Sequence, residues 1–168
     1  MYSFEETQKF RQWWIWLILA LATGVEAYLF IRRVNTNHYG FWIIKLVVLV
    51  AVIALMFFIR LETKVDGTGV YYRFFPVHLS FKKIDWEEVA EAYVRQYEPI
   101  GEFGGWGIRL SLGRGKAYNI AGNMGLQLVF KNGKRTLVGT QKPDELKQAL
   151  QSLIDSGAIN IAGGPGAV

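Results

Sequence analysis

Two apolar stretches near the N-terminus, residues 13–31 and 41–59, constrain this chain more than any other feature. Each stretch is about 19 residues long, so a helix rising 1.5 Å per residue would cover roughly the hydrocarbon core of a bilayer. Only residues 32–40 separate them. The pattern predicts a transmembrane α-hairpin over residues 13–60, which leaves room for one soluble domain of about 100 residues.

The charges that flank the two stretches predict the topology of this hairpin. More basic residues lie on the side joined to the termini than in the connecting loop, and the positive-inside rule therefore favours both termini in the cytoplasm. A small-residue site at residues 20–22 is compatible with a cleaved signal peptide, but the apolar run continues to Ile31, which favours a retained span. The basic residues are Lys9, Arg11, Arg60 and Lys64 on the terminal side, and Arg32 and Arg33 in the loop.

Glu26 and Lys45 are ionisable residues inside the two stretches. In an antiparallel hairpin both would lie about 6–8 Å below the boundary on the loop side. Because a lone charge at that depth costs a few kcal/mol, the matching depth predicts an intramembrane pair. The alternative is that Lys45 extends its amine to the membrane surface while Glu26 is protonated or near water. A role in proton or ion passage is the least favoured interpretation, since one carboxylate does not make a pathway.

Residues 1–12 form an N-terminal lead in which Phe4 and Phe10 interleave with charged residues. This pattern predicts an amphipathic segment that lies along the membrane surface.

Beyond Leu61 the chain changes to short β-like segments that are separated by turn signals. Asn132-Gly133 between two apolar segments is a strong hairpin signal. Within residues 78–84, alternation predicts that Leu79 and Phe81 are buried. The predicted strands cover residues 61–66, 70–74, 78–84, 126–130 and 135–138.

The last predicted element is a helix that begins at Pro143 and ends at Gly157. Its apolar residues recur at helical spacing and fall on one face. Residues 158–168 are small and glycine-rich without periodicity, which predicts a flexible tail.

The segment from Asp85 to Tyr97 gives conflicting signals. Its apolar residues follow helical spacing, and the periodicity alone favours a helix. The same residues are also compatible with a short turn followed by a strand from Val89.

Three runs of residues resemble bacterial membrane proteins that carry a pleckstrin-homology-like domain after one or two spans. The runs are residues 84–89, 104–109 and 139–146. The resemblance implies that residues 61–157 form two packed antiparallel sheets of about seven strands, a mostly-β barrel or sandwich capped by a C-terminal helix. It also implies a strand over residues 89–96 and a multi-pass protein of the bacterial inner membrane.

A glycine-rich loop around Trp106 is the candidate interaction site. Glycines let the backbone bend around a large ring, and aromatic residues on such loops are frequent at interfaces. The alternative is that Trp106 begins a strand and fills the core. The loop consists of Phe103, Gly104, Gly105, Trp106 and Gly107.

Arg109, Arg114 and Lys116 are candidates for contact with anionic lipid, against the alternative of a solvated basic face. Many pleckstrin-homology domains hold phosphoinositides with basic residues in their first hairpin loop. Residues 66–69, the corresponding loop here, contain no Lys or Arg, which argues against inherited phosphoinositide binding.

Composition narrows the remaining function classes. The absence of cysteine excludes disulfides, thiolate metal sites and a cysteine nucleophile. From Leu61 onward the chain carries 13 Lys and Arg against 11 Asp and Glu, a net charge of +2 that is too small for a nucleic-acid-binding domain. His38 and His78 are far apart in sequence, and no catalytic, cofactor, metal or small-molecule-substrate motif is evident.

The sequence therefore predicts a non-catalytic, membrane-tethered binding or assembly module. Its expected partners are the lipid bilayer and either another protein or a second copy of itself. The alternative is a sensor of anionic lipid or of the membrane surface, and a subunit of a transporter or channel is less favoured.

Overall fold

The chain divides into two units, one β-rich and one helical. The computed structural model describes residues 3–10, 13–33 and 39–161. The β-rich unit takes its residues from both sides of the apolar stretches, 1–9 and 60–168, and the helical unit is the segment between them.

The helical unit contains α1, Trp13–Arg33, and α2, Tyr39–Phe58. Their most apolar windows have mean hydropathies of 1.7 and 2.8, and none of the residues in these windows is buried. Both helices are therefore long and apolar enough to cross a membrane, as the sequence predicts. The rings of Trp16 and Phe57 lie 4.7 Å apart and bring the two helices together.

The first sheet of the β-rich unit has four strands in the order β1-β2-β3-β4, and all neighbours are antiparallel. Alternate residues of β1, β2 and β3 are buried, as expected for a sheet with one face on the core. The strands are β1, Phe4–Lys9; β2, Arg60–Asp66; β3, Gly69–Phe75; and β4, Lys82–Asp85.

The N-terminal lead is not an amphipathic segment on the membrane surface, because its residues 4–9 form strand β1. Phe4, Glu6 and Gln8 are buried on the inner face of the sheet. Pairing with β2 occupies the backbone of the lead, and Glu6 accepts hydrogen bonds from the second half of the chain. The sequence pattern was misleading because the sequence does not distinguish a glutamate that is buried in a sheet from one that is exposed to solvent. Residues 1, 2, 11 and 12 lie outside the described residues.

The second sheet has five strands in the order β5-β8-β9-β7-β6. β9 lies between β7 and its own hairpin partner β8, antiparallel to β8 and parallel to β7. The range for which the resemblance implies about seven antiparallel strands therefore contains eight described strands, β2 to β9, and a mixed sheet, and β1 adds a ninth strand from before the helices. The strands are β5, Val89–Gln96; β6, Gly107–Ser111; β7, Gly115–Asn119; β8, Met124–Phe130; and β9, Arg135–Thr140.

The helix that periodicity favours over residues 85–97 is wrong, and the strand from Val89 is confirmed. A 3₁₀ turn, Trp86–Glu88, leads into β5. The pairing of β5 with β8 shifts register between Val89 and Glu91. This bulge places Val89 three residues before the next buried residue, Ala92, so the strand imitates helical spacing.

Strand β4 is shorter than the predicted strand over residues 78–84. Leu79 is 77% exposed and is not a core residue, and Phe81 is only half-buried. The chain turns after β3, where the His78 N–H donates to the Phe74 carbonyl at 2.8 Å. This turn takes residues 76–81 out of the sheet. The predicted alternation of buried and exposed side chains therefore does not occur there.

Helix α4, Pro143–Asp155, contacts one strand of each sheet, β1 and β5. Between the sheets the rings of Tyr72 and Tyr118 lie 4.6 Å apart. The predicted tail begins later than residue 158, because Ile159 is buried and its N–H donates to the Leu153 carbonyl at 3.3 Å. The rest of that tail, residues 162–168, lies outside the described residues. The buried residues of α4 are Leu146, Ala149, Leu150 and Leu153.

Candidate functional site

A cleft of about 690 Å³ opens beside a short helix that follows β5. This helix, α3, covers Pro99–Phe103. Pro99 suits its first turn because its missing N–H would have had no partner there. Gly104 ends the helix in the left-handed conformation with φ of 72°, and its N–H donates to the Ile100 carbonyl at 2.9 Å. The residues that line the cleft include Glu98, Ile100, Glu102, Trp106, Arg114 and Asn123.

The structure divides the predicted interaction loop between core and cleft. Phe103 is buried in a cluster with Tyr97, Ala117 and Leu137, and it is not available to a partner. Trp106 is half-buried and lines the cleft, and its indole N–H donates to the Gly122 carbonyl at 3.0 Å. The ring that fills the core is therefore Phe103 and not Trp106, and the interaction role of the loop stays a prediction.

The glycines around Trp106 allow backbone conformations that other residues rarely adopt. Gly105 and Gly107 have φ of 122° and 111°, in a region that side chains rarely adopt. A Cβ on Gly105 would also lie 3.3 Å from the Arg109 guanidinium, which folds back so that its Nε donates to the Trp106 carbonyl at 2.9 Å. These contacts hold the tryptophan in one place at the rim of the cleft.

Glu102 is the electrostatic centre of the cleft. Arg95 donates two hydrogen bonds to its carboxylate, at 3.1 and 2.7 Å, and Arg114 lies 3.1 Å from the same group. The backbone N–H of Glu98 donates to it at 3.0 Å. The hydrogen bonds from Arg95, together with the Glu98 amide and both positive charges, lower the pKa of Glu102 to about 2. The carboxylate therefore stays ionised at neutral pH and ties α3 to β5.

Ile100 gives the cleft an apolar rim. Its side chain is 70% exposed on α3, although aliphatic residues of this size are usually buried. Together with the Trp106 ring it frames a pocket whose wall carries the half-exposed Arg114.

The three candidate lipid-binding residues do not share one face. Arg109 pairs with Ala117 across β6 and β7, so their side chains lie on the same side of the sheet. Lys116 precedes Ala117 in β7 and points to the opposite side. Arg114 in the turn is engaged by Glu102. The predicted basic patch is therefore divided between two surfaces.

The structure brings Glu26 and Lys45 together in the helical unit. The Lys45 amine lies 3.0 and 3.3 Å from the two carboxylate oxygens of Glu26, and both side chains are 38% exposed. The amine also lies 5.0 Å from the ring centres of Phe41 and Trp42. The pair borders a cavity of about 390 Å³ between the two helices. This arrangement is what a clasp between two spans requires.

Sequence reasoning missed the residues that build the cleft wall, Arg95, Glu98 and Glu102. A usable signal was present, since Pro99 follows Glu98 and marks the first turn of a helix that places Glu102 one turn later. The partner Arg95 is seven residues away and could not be assigned without the fold. Across residues 3–10, 13–33 and 39–161, no three His, Asp or Glu side chains cluster in a way that could hold a metal ion.

Comparison with known proteins places the chain in a family without assigning an activity. Neither a curated protein nor a solved structure matches the chain significantly. One family model matches residues 14–157, which cover both apolar helices and all of the second sheet. The chain belongs to this family, the family of unknown function DUF6141.

Proposed function

We propose that the chain is a non-catalytic, membrane-tethered binding and assembly module of the bacterial inner membrane. Its helical hairpin holds the β-rich unit at the membrane, and the cleft beside α3 binds a segment of another protein. The β-rich unit is pleckstrin-homology-like. Two sheets and a C-terminal helix support that likeness, while β1 and the parallel pair of β7 and β9 depart from it.

The observation that carries the proposal is the combination of an exposed aliphatic side chain and a fixed indole ring around one cleft. Ile100 is 70% exposed, and Trp106 is anchored at the rim by its bond to Gly122. Rigid aromatic and aliphatic groups in a pocket are the features that anchor protein interfaces. The ion pairs of Glu102 keep the wall in place before a partner arrives, which lowers the entropic cost of binding.

Arg114 extends the proposal to the chemistry of the partner. Its side chain is 51% exposed while one nitrogen contacts Glu102, so donors remain directed to solvent at the edge of the apolar rim. A partner segment with one large apolar residue beside an acidic residue would fit both features.

The experiment is site-specific photo-crosslinking from Ile100 in native membranes, with the full chain and mass spectrometry of the products. A matched control carries the crosslinker at Leu79, which is 77% exposed and lies in another turn. We expect a discrete protein adduct from Ile100 that is absent from Leu79. The adduct should be reduced at least about thirtyfold by Trp106→Ala, since loss of an aromatic anchor at an interface costs about 2 kcal/mol or more.

Two outcomes would overturn the proposal. Equal adducts from Ile100 and Leu79 would mean random collision, and an adduct unaffected by Trp106→Ala would mean that the cleft is not the site. Turnover of a substrate by the purified chain, lost on a single polar substitution, would contradict its non-catalytic character.

The lipid-sensor alternative has weaker support. Arg109 and Lys116 lie on two faces of the sheet, so the predicted basic residues do not form one surface that could lie on anionic headgroups.

A further inference from the structure

Strand β6 and the first residue of the turn after it carry exposed aliphatic side chains. Ile108, Leu110 and Leu112 are 40%, 76% and 101% exposed. Ile108 and Leu110 are alternate residues of β6, so they point to the same side of the sheet, and Leu112 is the first residue of the turn that follows the strand. None of the three lines the cleft, and Arg109 between them points to the other side. We call these three residues the β6 stripe.

The β6 stripe lies on an open sheet edge. In the described part of the chain, β6 pairs with β7 alone. The Gly107 N–H donates to Asn119 Oδ1 at 2.8 Å, and the Ser111 carbonyl accepts from the Arg114 N–H at 3.3 Å, so both residues direct their backbone groups toward β7. Alternate residues of an antiparallel edge face opposite ways. Ile108 and Leu110 therefore direct their N–H and C=O groups outward.

We propose that a second copy of this chain pairs with β6 antiparallel, about a two-fold axis at Leu110. This surface is separate from the cleft, and the inference goes beyond the proposed function. An edge strand that offers both backbone groups and apolar side chains is a template for another strand.

The distribution of charge along β6 selects both the partner and the register. An antiparallel pair centred on Arg109 would place two arginines opposite each other, which is destabilising. Centring the pair on Leu110 removes this conflict, because Arg109 then faces Ser111 of the second copy. Ile108 lies beside Leu110 on the same side of the strand, so the four stripe residues within the two β6 strands meet on one side, and Leu112 follows in the turn of each copy. The strand is self-complementary in this register.

The proposed pair also brings two Lys116 residues onto the side of the β6 stripe, and the repulsion between them is weak. Lys116 is the register partner of Leu110 in β7, on the side of the stripe. The two Lys116 residues of the pair would be separated by three strand spacings, about 14 Å, which exceeds the screening length of roughly 10 Å at 0.1 M salt.

A lipid surface is a less suitable occupant of the same edge. Lipid would cover the aliphatic side chains but would leave the outward N–H and C=O groups of Ile108 and Leu110 without partners, at a cost of several kcal/mol per group in hydrocarbon. A second strand would cover the aliphatic side chains and would also form hydrogen bonds with the outward backbone groups.

The absence of cysteine from the chain permits a sharp test. Single-cysteine variants of the full chain are oxidised in native membranes, and disulfide-linked dimers are quantified. At the two-fold axis the Cα atoms of residue 110 would lie about 5.5 Å apart, within the disulfide range, whereas those of residue 108 would lie roughly 14 Å apart. We expect Leu110→Cys to form dimers at least about tenfold faster than Ile108→Cys or Leu112→Cys, because only the first has the required spacing.

Two further variants complete the design. The double variant Arg109→Cys with Ser111→Cys should also crosslink rapidly, because those two strand positions face each other across the pair. Leu110→Lys should abolish crosslinking of the double variant, since two lysines would meet at the axis. Leu79→Lys is the matched control, because Leu79 and Leu110 are 77% and 76% exposed. Circular dichroism of each variant checks that the fold is retained.

Several results would overturn the inference. Equal rates for all three single cysteines would indicate collision without a register. A Leu110→Cys chain that stays monomeric, or that joins a different protein, would assign the edge to another occupant. Protection of that cysteine from a water-soluble maleimide without dimer formation would assign it to lipid. The photo-crosslinks from Ile100 are independent of each of these results.

Discussion

The single residue with the strongest electrostatic role is Glu102, because its carboxylate joins α3, β5 and the turn that carries Arg114. Its pKa is about 2 in the folded chain, against 4.5 for an ordinary glutamate, with the hydrogen bonds from Arg95 as the main cause. Because the pKa of Glu102 is lower in the folded chain than in the unfolded chain, the unfolded chain binds the proton of this carboxyl more tightly. The stabilisation is therefore complete above about pH 4.5 and is lost as the pH falls toward 2.

We predict that Glu102→Gln lowers the free energy of unfolding at pH 7 by about 1–3 kcal/mol, since a shift of one pKa unit corresponds to 1.36 kcal/mol. The difference from the unaltered chain should shrink as the pH falls below 4.5. Thermal unfolding of the full chain in detergent, followed by circular dichroism from pH 3 to 8, measures it. Glu87→Gln, at an exposed position, is the control and should change little. A penalty that does not vary with pH would contradict the ion-pair origin.

Strand β1 is the element whose contribution is least expected from the sequence. Glu6 is 5% exposed, and its two carboxylate oxygens accept hydrogen bonds from Thr140 Oγ1 at 2.7 Å and the Gln141 N–H at 2.8 Å. Gln8 Nε2 donates to the Gly139 carbonyl at 2.6 Å. These bonds connect the start of the chain to the end of β9, across the two sheets.

We predict that Glu6→Ala destabilises the β-rich unit by about 2–4 kcal/mol, because it leaves the buried Thr140 hydroxyl and the partly buried Gln141 N–H without their acceptor. Glu5→Ala is the matched control. Its side chain is 57% exposed and pairs with Lys64 at the surface, so its loss should cost less than about 1 kcal/mol. Denaturant unfolding of the full chain in micelles, followed by tryptophan fluorescence, gives both values. Equal effects of the two substitutions would mean that β1 is held only by its backbone pairing.

These elements show which parts of the fold a sequence can predict. Helices α1 and α2 are long apolar stretches, α4 has regular helical periodicity, and the hairpin at Asn132-Gly133 has a specific turn signal, so each was predictable. Strand β5 was not predictable from periodicity, because one bulge changes the spacing of its buried residues. β1 was not, because its partner β2 lies about 50 residues away, beyond the helical hairpin. In the cleft the glycines identified the Trp106 loop, but the ion pairs depend on tertiary contacts.

At the scale of the whole molecule, the pairing of β1 with β2 constrains the topology. Lys9 and Arg60 are register partners, so the segments before and after the helices belong to one folded unit. If the helices span a membrane, the chain must cross it an even number of times, and both segments must lie on one side. The excess of basic residues on that side predicts that it is the cytoplasm.

Single cysteines test this topology, since the chain has none of its own. We predict that a membrane-impermeant maleimide labels Asn37→Cys, in the connecting loop outside the described residues, on spheroplasts of a bacterial host. Glu5→Cys and Lys147→Cys, both at exposed positions, should react only after the membrane is permeabilised. Labelling of residues 5 and 147 from opposite sides would contradict the β1–β2 pairing itself. A fully inverted pattern would leave the fold intact and overturn only the orientation that the charges predict, since two spans return the chain to its starting side in either case.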